Sequence, residues 1–244
     1  MLPAYNEEAA IGSLLHRIGE AMREAALPYQ VILVDDGSQD ATVAIVKECA
    51  RRMPIVLEQH LHNLGLGPTV RDGLTAATQL AEDQDIVVTM DADDTHTPGL
   101  IAEMVQMISE GHDVVIASRY QHGARTVGVP LLRALLSRSA SIVFRILFPI
   151  PGVRDFTSGY RAYRAQVIKG AFARYGQRFL DQQGFQCMVD ILLKLRPMNL
   201  SFGEVPMILR YDRKGGESKM KVFRTALATL RLMLRIRFGG STDK

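Results

Sequence analysis

The sequence predicts an α/β fold built on a mostly parallel, doubly wound sheet, and three observations carry that expectation. Short apolar runs alternate with helix-patterned segments across the first half of the chain, separated by brief turns. Two of those runs end directly in carboxylates: Val31-Ile32-Leu33-Val34 in Asp35-Asp36-Gly37-Ser38, and Ile86-Val87-Val88-Thr89-Met90 in Asp91-Ala92-Asp93. With 244 residues, 47% of them hydrophobic, the chain can bury a full core.

Taken in order, Pro3-Ala4-Tyr5-Asn6-Glu7-Glu8 reads as a strand-to-helix turn with no strand before it, so the first strand is expected to be missing. An unpaired inner edge is costly in a parallel sheet, which favours a start upstream of Met1. Val31 to Val34 is a buried strand, Thr42 to Met53 a helix with Val43, Ile45, Val46 and Ala50 inward, and Ile55 to Leu57 the next strand. Pro68 suits the first turn of a helix running to about Glu82. Ile86 to Met90 is the central strand, Pro98 to Glu110 a helix, and Asp113 to Ser118 a strand. Beyond Arg119 the alternation stops. Leu131 to Phe148 is apolar with Arg133, Arg138 and Arg145 interspersed, while Gly152 to Tyr163 is polar and turn-rich. A helix is expected over Asp181 to Leu195, one or two strands over Leu200 to Leu209, a charged Gly-rich loop over Arg210 to Lys219, and a last helix over Met220 to Phe238. The economical division is one domain, 1–219, and a basic amphipathic appendage, 220–244.

Composition narrows the function. The net charge of +3 is mild, and the surplus Lys and Arg gather in the C-terminal third. Cys49 and Cys187 are the only cysteines and lie far apart, which argues against a disulfide scaffold or a zinc site. No run approaches the roughly 20 apolar residues that cross a bilayer. The opening Met-Leu-Pro-Ala-Tyr has neither a basic start nor an apolar stretch of the secretory kind, so a cytoplasmic location is expected. Nothing resembling basic–aromatic interleaving points to nucleic acid.

Residues two apart on a strand project to the same side, so Asp91 and Asp93 should meet at the sheet's carboxyl edge, where open α/β sheets bind ligands. Two like charges so close raise each other's pKa. A hard divalent cation relieves that and suits oxygen ligands. The plainer reading is a polar turn with Asp as helix cap. For Asp35 and Asp36 the plainer reading is an Asx turn with Gly37 and Ser38, and for Tyr5 and Glu7 a helix start.

Several motifs occur in order: Leu-Pro-Ala-Tyr-Asn-Glu-Glu (2–8), Val-Asp-Asp-Gly-Ser (34–38), Asn-Leu-Gly-Leu-Gly (63–67), Arg71 with Gly73, and Met-Asp-Ala-Asp (90–93). Ala-Ser-Arg-Tyr (117–120), Asp-Phe-Thr-Ser-Gly-Tyr-Arg-Ala (155–162) and Gly-Glu-Ser-Lys-Met (216–220) complete the set. In this order and spacing the chain resembles family 2 glycosyltransferases, in particular the dolichol- or polyprenol-phosphate mannosyltransferase branch. The resemblance implies a GT-A fold, a nucleotide-sugar donor of the GDP-mannose or UDP-glucose class and a lipid-phosphate acceptor. It implies that Pro3, Tyr5 and Glu7 line the nucleobase pocket with Asp36 near base or ribose. Asp91 and Asp93 would hold Mg or Mn against the donor diphosphate. Arg119, Arg133 and Ser137 would surround the acceptor phosphate, with Asp93, Arg119, Arg133 and Ser137 as the catalytic set. Arg213 and Lys219 belong to a loop that would close over the donor, Gly215 and Gly216 permitting its motion. Where close relatives carry Gln two residues after the second Asp, this chain has Thr95, whose shorter hydroxyl would have to ligate the metal or hold a metal-bound water. His96 reads as a packed or capping histidine ahead of a ligand.

A hydroxyl acceptor needs a general base, and Asp155 is the only obvious late acid in a motif, equally able to anchor the turn at Thr157-Ser158-Gly159. A phosphate acceptor needs none, since its second pKa of about 6 leaves it largely deprotonated. On the last helix Phe223, Leu227, Leu230 and Leu234 fall on one face beside Arg224, Arg231 and Arg235, a pattern that either lies on anionic lipid or packs on its own domain. The 131–148 segment is a second membrane-facing candidate, so peripheral attachment to a membrane is expected. The reading is therefore a metal-dependent inverting hexosyltransferase acting on polyprenyl phosphate. Its alternatives are a transferase with a saccharide or other hydroxyl acceptor and a non-catalytic nucleotide-sugar binding protein.

Overall fold

The computed structural model describes residues 1–213, without the side chains of Leu131, Leu132, Arg133, Leu136 and Arg213. Lys219 and the helix expected over 220–238 lie outside the described residues.

Strands β1 (Leu2–Ala4), β2 (Val31–Asp35) and β3 (Ile55–Gln59) form a parallel ladder in the order β1-β2-β3, interleaved with α1 (Ile11–Glu24) and α2 (Thr42–Cys49). Helix α3 (Leu66–Leu80) leads to β4 (Ile86–Thr89), and α4 (Leu100–Ser109) to β5 (Val114–Ser118). After a short strand β6 (Arg125–Val127), helix α5 (Leu131–Leu147) precedes β7 (Arg161–Arg164), α6 (Ala165–Tyr175), α7 (Cys187–Leu195), β8 (Phe202–Pro206) and β9 (Ile208–Arg210). The second sheet runs β4-β7-β5-β8, with β7 antiparallel to both neighbours and β8 parallel to β5. Strands β6 and β9 pair separately and in parallel.

The first strand, expected to be missing, is present. Its residues have neighbours on both sides: the partner β2, and β4, reached by Met1 N donating to Val88 O at 2.6 Å and Met90 N donating to Met1 O at 3.2 Å. Backbone groups alternate in direction along a strand, so Pro3 faces β4 as Met1 does. Having no N–H, it cannot extend that ladder. The β1–β4 seam therefore ends at Met90, and the chain departs from the sheet at Asp91. That opening is the start of the site.

Strand β7 was not expected, because Arg161-Ala162-Tyr163-Arg164 lies at the end of a polar stretch and gives no strand pattern. Yet Arg161, Ala162 and Tyr163 are fully buried. Arg161 stands between Thr89 and Ile116, its guanidinium donating to Met188 O at 2.7 Å and Phe156 O at 2.9 Å. The helix expected from Asp181 starts later, at Cys187, after a 3-10 turn over Gly176–Leu180. The sheet separates two cores, one with Leu74, Phe144, Phe156, Ile168, Phe179 and Leu192 on the side of α3 and α5–α7, the other with Leu14, Leu15, Met104 and Tyr160 on the side of α1, α2 and α4. Among the described residues, no helix is long and apolar enough to cross a membrane.

Candidate functional site

Three loops leave the carboxyl ends of β1, β2 and β4 on one edge. The first two clasp each other: Asn6 N donates to Ser38 Oγ at 2.8 Å, Gln39 N to Asn6 Oδ1 at 2.8 Å, and Glu7 N to Thr42 Oγ1 at 2.8 Å. Asn6 itself takes a left-handed φ of 51°, a conformation asparagine tolerates better than most residues. Tyr5 and Glu7 are consequently held half-buried at the mouth, next to Pro3 in β1.

The Asp35-Asp36 pair divides its labour differently from expectation. Asp36, expected beside the base or ribose, has both oxygens taken: Oδ1 accepts from Leu64 N at 2.8 Å and lies 2.8 Å from His60 Nδ1, and Oδ2 accepts from Gly65 N at 2.9 Å. It fastens the loop before α3. Asp35 accepts from Ser38 N through Oδ2 at 3.0 Å, while its Oδ1 is buried without a hydrogen-bond partner among the described residues. A buried carboxylate oxygen left unmatched is costly, and a ligand donor at this loop would match it.

In the third loop Asp93 Oδ1 accepts from Thr95 Oγ1 at 2.7 Å and from Thr95 N at 3.2 Å. Thr95 is buried and its hydroxyl is thus engaged in orienting Asp93, a role that its short reach explains and that differs from the ligation expected of it. His96 is buried, stacked on Tyr160 with ring centroids 5.0 Å apart, and its Nδ1 accepts from Asp91 N at 3.3 Å. It is the packed histidine that the sequence favours. Asp94, at a left-handed φ of 57°, is ion-paired to Arg17 of α1, which pins the turn from outside. Arg210 N donates to Thr95 O at 2.9 Å, so β9 delivers the Tyr211–Arg213 turn beside the carboxylates. The Arg213 side chain and Lys219 are outside the described residues.

Across the edge, Arg119 follows β5. Its guanidinium grips Asp155 in a fork, Nε to Oδ2 at 2.8 Å and Nη2 to Oδ1 at 2.7 Å, and also donates to Thr157 Oγ1 at 2.5 Å. Asp155 is fully buried and accepts further from Thr157 N and Ser158 N. Burial alone would raise its pKa, but Arg119 and the N–H groups outweigh that and hold it below the usual carboxylate range. Asp155 is therefore an anchor, with no lone pair offered as a base. Its own backbone rests on Glu204, whose Oε1 accepts from Arg154 N at 2.5 Å and Asp155 N at 2.7 Å. The charge of Asp91 acts on Arg119, so the acidic turn and the arginine share one electrostatic neighbourhood. Tyr120 links them to α5: its hydroxyl lies 2.7 Å from Ser137 Oγ, and the Arg119 guanidinium sits 5.4 Å from its ring centre. Arg133 lies four residues before Ser137 on α5.

Oxygen donors alone at the carboxylate turn suit a hard cation such as Mg or Mn. Among the described residues no three His, Cys, Asp or Glu side chains gather into a complete metal cage. A cation here would rest on Asp91 and Asp93 and take its remaining oxygens from a ligand. Cys49 and Cys187 are unpaired, and burial pushes the Cys187 thiol up to about 12. Two contributors gave no signal in sequence, Arg17, 77 positions from Asp94, and the His60 clamp on Asp36, while Arg161 stood in the 155–162 motif with no role read for it. Glu204 could have been found, as the one acid in an otherwise apolar strand segment.

Residues 1–172 match the family model described as glycosyl transferase family 2. Across its whole length the chain is 32% identical to a dolichol-phosphate mannosyltransferase of Pyrococcus furiosus, of which it spans 65%. It is 29% identical to a polyprenol monophosphomannose synthase of Mycolicibacterium smegmatis, over 90% of this chain and 79% of that one. Among solved structures, glucosyl-3-phosphoglycerate synthase of Mycobacterium tuberculosis, crystallised with Mn2+, uridine diphosphate and phosphoglyceric acid, superposes with a TM-score of 0.67. That match has 18% identity, over 99% of this chain and 78% of that one.

Proposed function

The chain belongs to glycosyl transferase family 2, and on that footing we propose that it transfers a hexose, mannose or glucose, from a nucleotide-diphosphate sugar to polyprenyl phosphate, with inversion at the anomeric carbon. The observation that carries this reading is the pairing, on one sheet edge, of the carboxylate turn with an arginine fork whose anchoring acid is fully committed. With Asp155 locked, no uncommitted acid outside the carboxylate turn is on offer as a general base beside Arg119 among the described residues. A phosphate acceptor, already ionised, requires none.

The donor lies across the β1 and β2 loops, with Tyr5 and Glu7 at its base and Asp35 Oδ1, rather than Asp36, accepting from it. Asp91 and Asp93 hold Mg or Mn, Thr95 fixing the second carboxylate. A bound cation supplies Lewis-acid stabilisation of the departing diphosphate. Arg119 and Ser137, with Arg133 from the same helix, orient the acceptor phosphate. One of its oxygens bonds to the anomeric carbon as the bond from that carbon to the diphosphate oxygen breaks, and no proton needs to move. Arg213 and Lys219 close over the donor phosphates.

The acceptor is lipid-borne, and α5 is suited to meeting it. Leu135, Ile142 and Ile146 form an exposed apolar stripe, Leu135 and Ile146 being 63% and 72% exposed, while Ser141 and Phe144 on the opposite face are buried. Such a helix is suited to a membrane interface, which supports peripheral attachment, and the face proposed is the cytoplasmic one. Incubation with radiolabelled GDP-mannose or UDP-glucose, manganese and polyprenyl phosphate tests the proposal. Label in the organic phase supports it. Label only in a water-soluble product points to a hydroxyl acceptor, and binding without turnover to a nucleotide-sugar binding protein.

A further inference from the structure

A groove of about 600 Å³ runs beside β8, at the end of α5, and none of Asp91, Asp93, Arg119 or Ser137 lines it. Its walls carry Arg145 from α5, Arg154 from the turn that follows and His112 from the end of α4, with Pro149 and Pro151 as stiff apolar flanks and Glu204 of β8 among its lining residues. The groove is preformed. Gly152 has a left-handed φ of 83°, and a Cβ there would stand 2.2 Å from Phe202 O; a Cβ on Gly203 would stand 2.1 Å from His112 Cδ2. Two close approaches that only glycine permits thus seat both walls on β8.

Its electrostatics are unfinished. The guanidinium groups of Arg145 and Arg154 make no hydrogen bond or ion pair among the described residues, and both side chains are exposed. Glu204 is only 8% exposed; its Oε1 is satisfied by Arg154 N and Asp155 N, and the Ser118 hydroxyl faces its carboxylate, so it serves to hold the Arg154 turn in place. Two planar cations match phosphate oxygens. A ligand carrying a phosphodiester next to an apolar surface fits the two arginines and the prolines beside them. The exposed stripe of Leu135, Ile142 and Ile146 ends where the groove begins, and Arg145 borders it.

We propose that this groove binds the headgroup of an anionic glycerophospholipid, its phosphodiester between Arg145 and Arg154. The inference rests on the membrane-facing reading of α5. It adds a lipid site separate from the acceptor phosphate, one that would fix the tilt of the helix on the bilayer.

Flotation of the protein with phosphatidylcholine vesicles, and with vesicles of equal parts phosphatidylcholine and phosphatidylglycerol, tests it. The wild type should partition onto the second and little onto the first. R145A/R154A should lose about 30-fold in that partition, whereas R51A/R52A, which removes the same charge from exposed positions after α2, should lose far less. Melting temperature and transfer to a short-chain polyprenyl phosphate in detergent should be unchanged in both. Equal losses in the two double variants, or none in either, would overturn the site. So would saturable micromolar binding of inorganic phosphate abolished by R145A/R154A while vesicle binding persists, which would assign the groove to a soluble anion. A wild type inactive in detergent would instead strike the proposed function and leave the vesicle result to stand by itself.

Discussion

Arg119 and Asp155 are joined by two parallel charge-assisted bonds, at 2.8 and 2.7 Å, and Asp155 also receives the Arg119 backbone N–H at 3.1 Å. One carboxylate thus fixes both the direction of the guanidinium and the path of the chain leaving β5. Such an acid cannot be removed without stranding its partner. D155N keeps the size and one acceptor oxygen but breaks the fork, and it should cost about 3 kcal/mol of stability in denaturant unfolding. R119K keeps the charge without the fork. It should cost less stability than D155N yet cut transfer at least as deeply, because a lysine cannot hold Asp155 by two bonds and still offer further N–H donors to the proposed acceptor phosphate. The folded pKa of Asp155 is depressed, so its stabilising contribution is complete above the unfolded value of about 4 and is lost as pH falls through the lower folded value. Between pH 5 and 8 this pair should therefore stabilise the fold by a constant amount and add no pH dependence to the unfolding midpoints.

Asp93 is oriented by Thr95, and the two should separate in assay. On the proposed metal role, D93A should abolish transfer while leaving the melting temperature within a few degrees, since Asp93 stands on a turn at the sheet edge, outside both apolar cores. T95V removes the hydroxyl donor and keeps the shape. Transfer should persist in T95V with a raised manganese requirement, about tenfold, corresponding to one lost hydrogen bond to a charged group of about 1.4 kcal/mol. Retention of near-normal turnover by D93A would remove the carboxylate turn from the mechanism.

The adjacent acids Asp35 and Asp36 make a sharper contrast. D36N disturbs the acceptor for Leu64 N, Gly65 N and the His60 ring, so it should lower stability by about 1–3 kcal/mol. D35N alters a side chain whose Oδ1 has no partner among the described residues, so it should leave stability nearly unchanged and weaken nucleotide binding, measured by calorimetry with GDP and UDP. If D35N bound both nucleotides like the wild type while D36N folded normally and lost them, the two assignments would have to be exchanged.

What could be read in the sequence follows from where the physics is local. Strand β4 and its carboxylate turn were legible because an apolar run followed directly by alternating acids is a pattern in itself, and so was β2. Strand β1 was not, since Leu2–Ala4 contains a proline and draws its stability from two neighbours that no local window contains. Strand β7 was hidden because Arg161 reads as solvent-exposed and is instead buried on backbone carbonyls supplied by residues 156 and 188. The motif at 155–162 singled out Asp155 and left its role open between base and anchor; the Arg119 fork decides it. Which member of the Asp35-Asp36 pair faces inward depends on the His60–Gly65 loop, and no spacing rule contains that information.

Asp190 offers a test with the opposite sign to Asp155. It is almost wholly buried on α7, bonded to Lys194 Nζ at 2.6 Å, and burial outweighs that partner and raises its pKa to about 6. A carboxyl whose folded pKa lies above the unfolded value of about 4 favours the folded state when protonated and opposes it when ionised. Wild-type stability should accordingly fall as pH rises through 6, where the folded protein must ionise a group that burial disfavours. D190N cannot titrate. Between pH 5 and pH 8 the difference in unfolding free energy should shift toward D190N by about 1 kcal/mol, whatever its value at either end, because replacement effects on packing do not vary with pH. A pH-independent difference would mean that Lys194, which also meets Asp181 at 3.1 Å, compensates the charge fully and that the pair is ionised throughout the range.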